Sequence, residues 1–330
     1  MPVIKRSITF WHSKRVLVTG ARGFVGRNLV PLLRQTGCEL LMPSRADYDL
    51  LEQTNVRCLM ADTRPNVVFH LAALSGGIMA NKEYPAAFCY QNLLMSTLVM
   101  HEAWKAGVKK YVTLMGGCSY PAQWPSPIPE ISLFQGYPQL ESAPYSLAKA
   151  MNPVLADAYR REHDFDAIVL VPGNLYGPYD NYDLKNSHVI PATIRKYFEA
   201  KLGGEKEVVA WGSGKPVRDF VYVEDACAAI ILAAEIYSGS DIINISSGVE
   251  TTIRELVETV AELVGYGGAI RWDATKPDGQ MHKGYDVTRM RQWLGYQCPT
   301  SLREGLTKTI SWFESNYATA RLDVPVLPTS

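Results

Sequence analysis

Residues 15–26, RVLVTGARGFVG, set a short apolar, β-branched run directly against three glycines, Gly20, Gly23 and Gly26, with a helical pattern following. Such a run stopping at glycine reads as a buried parallel strand. The G-x-x-G-x-x-G spacing lets the turn approach a pyrophosphate, which the positive end of the next helix favours. A tight strand-to-helix turn without a ligand would also use glycine. Strand, loop and helix nevertheless come here in the order a dinucleotide site requires, and that order constrains the rest of the chain.

Downstream the alternation continues. FVGRNLVPLLRQTG (24–37) has helical spacing and ends at Gly37; CELLMPS (38–44) and NVVFHLAA (66–73) are a second and a third strand. NLLMSTLVMHEAWKAG (92–107) is a helix, KKYVTLMGG (109–117) a fourth strand, PYSLAKA (144–150) the opening of a helix, and FDAIVLVPGNLYG (165–177) a fifth strand. Strands alternating with helices predict an α/β fold with a doubly wound parallel sheet. After about residue 178 the pattern changes to a polar loop (178–188), a helix (189–201), a hairpin-like pair of strands (208–225) around a Gly-rich turn, and an amphipathic helix (252–265). The expected organisation is an extension over 1–14 that docks Phe10 and Trp11 on the surface, a dinucleotide-binding domain over 15–178, and a smaller mixed α/β lobe over 179–330. That last part is mainly substrate-binding, with some chain returning to the first domain.

Bulk properties narrow the classes. The 330 residues are 47% hydrophobic and 20% charged, with 33 Lys+Arg against 33 Asp+Glu. That balance gives no footprint for nucleic acid or for an acidic membrane surface. No apolar run approaches the roughly 18 residues of a membrane span, and the opening segment lacks a signal-peptide core. Six scattered cysteines (38, 58, 89, 118, 227, 298) form no C-x-x-C pair, and no His cluster has metal-ligand spacing. Reduced thiols in a cytoplasmic protein, with no metal site, is the expectation.

At the end of the second strand an acidic residue would normally hold the ribose 2′-hydroxyl. The sequence offers Ser44 and Arg45 there, with Arg22 inside the glycine loop. Two guanidinium groups suit a 2′-phosphate and point to NADP(H) rather than NAD, although a solvated surface charge would account for either arginine. Phe24 and Val25 in the loop and Ala72 after the third strand complete the expected cofactor set. Tyr145 and Lys149, in YSLAK, stand four apart on one helical face. A cation beside a tyrosine favours the phenolate, and such a tyrosine can exchange a proton with a carbonyl or alcohol oxygen during hydride transfer.

With these pieces the chain resembles the extended short-chain dehydrogenase/reductase family, with its Rossmann-type domain, and within it the GDP-L-fucose synthases. The resemblance runs from about Arg15 to Tyr317, through SGGIMANKEYPAAFCYQN, C-S-Y-P, YSLAKA, PGNLYGPYDNYDLKNSHVIPA, WGSGKPVRDFVYVED and TKPDGQMHKGYDVTRM. It implies an enzyme that epimerises GDP-4-keto-6-deoxy-D-mannose at C3 and C5 and reduces C4 with NADPH. Position by position it implies Cys118 as epimerisation base, His188 as acid, Tyr145 as proton donor to C4, and Lys149 on the nicotinamide ribose. For the substrate lobe it implies Asn174, Arg195, Trp211, Arg218 and Lys283. Trp211 can stack on a flat base, while Arg218, Lys283 and Arg195 can meet phosphates. Taken without the resemblance, Cys118 reads as a buried structural cysteine and His188 as a loop histidine. The resemblance also implies a homodimer built on a helical bundle that includes the YSLAK helix.

Two departures stand out. Where that family has GSSCIYP, this chain has Gly116 and Gly117 before Cys118. The first of those serines holds the C4 carbonyl, and losing one such donor costs about 10²–10³ in rate. Ser119 is offset by one residue and is no obvious replacement. A water or another donor takes over, or the substrate needs no such contact, or reduction is weakened while epimerisation persists. The last two lead to an epimerase or reductase for a related GDP-sugar, such as a heptose. A dinucleotide-sensing protein without catalysis is a remoter alternative. Pro153 interrupts the YSLAK helix pattern and removes a donor to the Lys149 carbonyl.

Overall fold

A computed structural model of the chain describes residues 8–184, 186–276, 278–320 and 322. A one-turn helix α1 (Ile8–Trp11) leads into β1 (Arg15–Thr19), α2 (Phe24–Arg34), β2 (Glu39–Leu41), α3 (Gln53–Thr63) and β3 (Val67–His70). Helices α4 (Ile78–Glu83) and α5 (Pro85–Lys105), strand β4 (Lys110–Leu114), helix α6 (Ala143–His163) and strand β5 (Ala167–Pro172) follow. Strands β1, β3, β4 and β5 are buried along almost their whole length, as continuous apolar runs in a two-sided parallel sheet must be. Short β6 (Asn174–Tyr176), α7 (Val189–Gly203), β7 (Glu207–Trp211) and β8 (Val217–Tyr222) come next, then α8 (Val223–Ile236) and β9 (Ile243–Ile245). The chain ends in β10 (Glu250–Thr252), α9 (Ile253–Val264), β11 (Ala269–Asp273), β12 (His282–Lys283), α10 (Thr288–Leu294) and α11 (Leu302–Asn316).

The central sheet has six strands in the order β2-β1-β3-β4-β5-β9, every pair parallel. Strand order reverses between β1 and β3, so a crevice opens at their carboxyl ends. Register puts Thr19 opposite His70 at that edge. One apolar core lies on the α2/α8 side of the sheet and another on the α5/α6 side. A third core holds α7, α9 and α11 around the second lobe.

Four sequence expectations change. Trp11 is not a surface anchor: it is fully buried, stacks on Phe69 with ring centroids 6.1 Å apart, and donates its indole N–H to Glu235. The segment 165–177 is two strands, because the chain leaves the central sheet at Gly173 and enters the second. There β6 pairs β8 parallel, with β10 antiparallel and β12 parallel on β8 as well. A side chain at 173 would overlap the Ser246 hydroxyl and come within 3.2 Å of the Tyr285 ring. Segment 208–225 is no hairpin, since β7 pairs β11 in a separate two-stranded sheet. Gly212 at φ +79° donates to the Asp273 carbonyl (3.0 Å) and Ser213 N–H to Asp278 (2.6 Å), so the turn is tied to the β11 end and does not fold back. Finally, CELLMPS contributes only three strand residues.

Helix α6 runs unbroken through Pro153, which is buried within it. Among the described residues no helix is long and apolar enough to cross a membrane.

Candidate active site at the carboxyl ends of the central strands

The glycine loop is shaped by close approach. Gly20 has φ +70°, and a Cβ on it would sit 2.6 Å from the Ala72 nitrogen; one on Gly26 would sit 2.6 Å from the Ala21 Cα and overlap the Gly20 carbonyl. Ala72 therefore lies against the loop. Gly23 caps α2 without any side-chain bond, which leaves the first N–H groups, from Phe24 onward, unpaired by a cap. A turn pressed this close to β3 and opening on a bare helix start fits a pyrophosphate. Arg22 is exposed on the same loop and lies close enough to Asp47 to help hold that carboxyl below its usual range, after the two Ser44 hydrogen bonds. Arg45 pairs loosely with Asp49 at 3.9 Å. Ser44, Arg45 and Arg22 are thus neighbours at the end of β2. The sequence reading passed over Asp47, which accepts from the Ser44 N–H and hydroxyl, each at 2.7 Å.

Tyr145 and Lys149 share one face of α6, which crosses the end of β4 and the turn at Gly117–Ser119. A Cβ placed on Gly116 would lie 3.1 Å from the Cys118 sulfur and 3.8 Å from the Tyr145 phenol oxygen. Thiol and phenol thus converge on the point from which a residue-116 side chain would project. Lys149 is 4% exposed and makes no ion pair or hydrogen bond within the described residues; burial brings its pKa down to about 8, with Cys118 opposing that fall. Tyr145 departs from expectation. Burial pushes its pKa up and Cys118 adds to the rise, so the phenol is held protonated, the form that can donate. Ser119 is excluded as a stand-in donor because its hydroxyl bonds the Ser146 carbonyl at 2.8 Å.

His188 caps α7, and the loop before it is anchored by the Gly77 N–H on the Asn186 carbonyl (2.9 Å). Its side chain is exposed, and the surrounding protein together with the nearby Lys283 ammonium holds its pKa below the usual value. Lys283 is likewise lowered by burial, in opposition to Cys118 and with help from Arg218. Register sets Lys283 beside Arg218 across β12 and β8. Cys118 is thus within electrostatic reach of Tyr145, Lys149 and Lys283, and Lys283 in turn of His188 and Arg218.

The remaining substrate candidates divide. Trp211 is 69% exposed at the end of β7, with Lys276 5.8 Å from its ring centre. The adjoining Gly212 packs on Asp278, one residue from Gly279, which faces Arg218. Asn174 ties β6 to β8 through the Asp219 carbonyl (2.7 Å). Arg195 is a correction. Its guanidinium bonds Glu199 (2.7 Å) and the carbonyls of Tyr182 (3.1 Å) and Leu322 (2.6 Å), so it braces the lobe instead of offering an open charge to a phosphate.

Two residues at the site escaped the sequence reading. His70 is fully enclosed at the end of β3, 2.8 Å from the Thr19 hydroxyl through Nδ1, with Nε2 unpaired. A lone histidine in an apolar strand gives no sequence signal beyond its place before LAA. Tyr285 overlies Gly117, a contact between positions 168 residues apart that no spacing rule reveals.

The sequence pattern of the NAD dependent epimerase/dehydratase family matches residues 16–246. The chain is 42% identical over 305 residues to GDP-L-fucose synthase 1 of Arabidopsis thaliana, an alignment covering 92% of this chain and 94% of that protein. The crystal structure of a GDP-L-fucose synthetase from Naegleria fowleri bound to NADP is similar with a TM-score of 0.86 at 27% identity, over 93% of this chain and 94% of that one. A GDP-6-OMe-4-keto-L-xylo-heptose reductase from C. jejuni is similar with a TM-score of 0.86 and 27% identity, over 92% of this chain and 98% of that one.

Proposed function

Because this chain belongs to the NAD dependent epimerase/dehydratase family, we propose that it is an NADP-dependent enzyme that epimerises a GDP-linked 4-keto-6-deoxy-hexose at C3 and C5 and then reduces C4. The observation that carries this reading is the convergence of the Cys118 thiol and the Tyr145 phenol on the point above Gly116, with Lys283 within electrostatic reach of both Cys118 and His188. In the epimerase half, the Cys118 thiolate takes a proton from the carbon beside the ketone and His188 returns one to the opposite face. The proton count is unchanged and the centre is inverted. In the reductase half, Tyr145 gives its proton to the C4 oxygen. When bound, NADPH supplies the hydride for C4. Lys149 holds the nicotinamide ribose and keeps a positive charge beside Tyr145, which stabilises the phenolate left after proton donation. The glycine loop takes the pyrophosphate, Arg22 and Arg45 the 2′-phosphate, Arg218 and Lys283 the GDP phosphates, and Trp211 the base.

The two glycines at 116 and 117 favour one second reading, reduction or epimerisation of a related GDP-sugar such as a heptose. Six free cysteines suit a cytoplasmic setting. The exposed apolar residues of α5 and α6 suit a homodimer that buries them.

Adding GDP-4-keto-6-deoxy-D-mannose to the purified protein with NADPH should consume the cofactor and yield GDP-L-fucose. Tyr145→Phe should lose that consumption by at least about 10²-fold. If the parent oxidises no NADPH with this sugar but does so with a GDP-4-keto-heptose, the second reading replaces the first.

A further inference from the structure

We propose that Tyr285 is a further catalytic residue, whose hydroxyl donates a hydrogen bond to the carbonyl oxygen of the keto-sugar and supplies the donor that positions 116 and 117 lack. The inference rests on the function proposed above and identifies one more group in the same site.

A Cβ on Gly117 would come within 2.6 Å of Tyr285 Cε1 and Cζ and would overlap the hydroxyl, so the end of this phenol occupies the space a residue-117 side chain would need. Glycine at 117 and tyrosine at 285 are one arrangement. Where the resembled family has two serines on the chain entering the thiol, this protein has two glycines and a phenol delivered from the other lobe.

The ring is held rigidly. Ile128 and Asp286 bracket it through Ile128 N–H to the Gly284 carbonyl (2.9 Å) and Asp286 N–H to the Ile128 carbonyl (2.9 Å). Tyr120 lies alongside with centroids 6.3 Å apart, and Gly173 leaves room for its edge. Tyr285 is only 3% exposed, yet its hydroxyl bonds none of the described residues. Unlike the hydroxyls of Tyr111, Tyr182 and Tyr197, which are enclosed and unpaired, that of Tyr285 is not sealed in, so a fixed ring holds out a donor that a partner arriving with the substrate can reach. Burial, the Cys118 thiol and Asp219 all hold the phenol in its protonated form, against Arg218. It is therefore a donor and not a base.

The chemistry supplies the acceptor. When Cys118 removes a proton beside the ketone, negative charge moves onto the carbonyl oxygen, and a preorganised donor there lowers the barrier. Tyr145 sits at that oxygen for the later proton transfer, and Tyr285 adds a donor during the earlier step.

Tyr285→Phe removes the oxygen and keeps the ring over Gly117. The expected result is a fall of about 10²-fold in solvent-deuterium exchange at C3 and C5 of GDP-4-keto-6-deoxy-D-mannose, with melting temperature and NADPH affinity unchanged. Adding Gly116→Ser restores a hydroxyl beside Tyr145 and Cys118 and should recover part of the lost rate. Exchange and reduction indistinguishable from the parent in Tyr285→Phe would overturn the proposal, as would a loss that Gly116→Ser leaves untouched. A parent that performs neither exchange nor reduction contradicts the proposed function itself, which is a separate failure.

Discussion

His70 carries a pH dependence that can be measured without any substrate. Burial, with the Lys149 ammonium adding to it, takes its pKa down to about 3, against 6.5 for a free histidine. Between those values the unfolded chain binds a proton that the native chain refuses, so stability falls as pH drops from 6.5 toward 3. Replacing His70 with Gln, which cannot charge, should flatten that slope. Urea midpoints at pH 7 and pH 5 should differ less for His70→Gln than for the parent, and equal differences would contradict the assignment. At this scale the sequence was legible where chemistry follows local spacing. Tyr145 and Lys149 are one helical turn apart, and Gly20, Gly23 and Gly26 are read from one loop. It was silent on Tyr285 over Gly117, because that contact is made by two lobes folding together. Arg195 was misjudged because its partners, Glu199 and two carbonyls, become neighbours only once α7 is packed.

Among the elements, the break at Gly173 does most to link the two sheets. It lets one continuous apolar run serve both sheets, and so joins β5 of the central sheet directly to β6, which pairs with β8 and its Arg218. A methyl at 173 would press on Ser246 and on the Tyr285 ring. Gly173→Ala should therefore cost about 1–3 kcal/mol in stability, read from denaturant midpoints, and lower activity further by moving Tyr285. A variant with parent stability would show that the space is not tight. The sequence located this region as a strand but could not place the crossing, since the apolar pattern runs through it. Helix α8 went unread for a related reason: it is buried on nearly every face, and a helix without a polar stripe has no amphipathic period to find. The supposed hairpin at 208–225 failed because its Gly-rich turn answers to Asp273 and Asp278, far along the chain.

For the whole molecule, the second sheet brings Lys283, with Arg218 beside it, within electrostatic reach of Cys118 at the end of β4. Elsewhere, α5 exposes Tyr90 and Leu93 while α6 exposes Leu147, Met151 and Val154, the last three at helical spacing on one face. A second copy covering this face would explain the exposure, since such stripes are otherwise buried. Met151→Glu should then shift the sedimentation mass from dimer to monomer, and a parent already monomeric would contradict the assembly. NMR of the sugar itself in D₂O follows both halves of the reaction. Incubated with GDP-4-keto-6-deoxy-D-mannose alone, the protein should introduce deuterium at C3 and C5. NADPH should then convert that material to the C4 alcohol, and Cys118→Ser should abolish the exchange. Absence of deuterium at both carbons, or exchange that NADPH never carries on to reduction, would contradict the account.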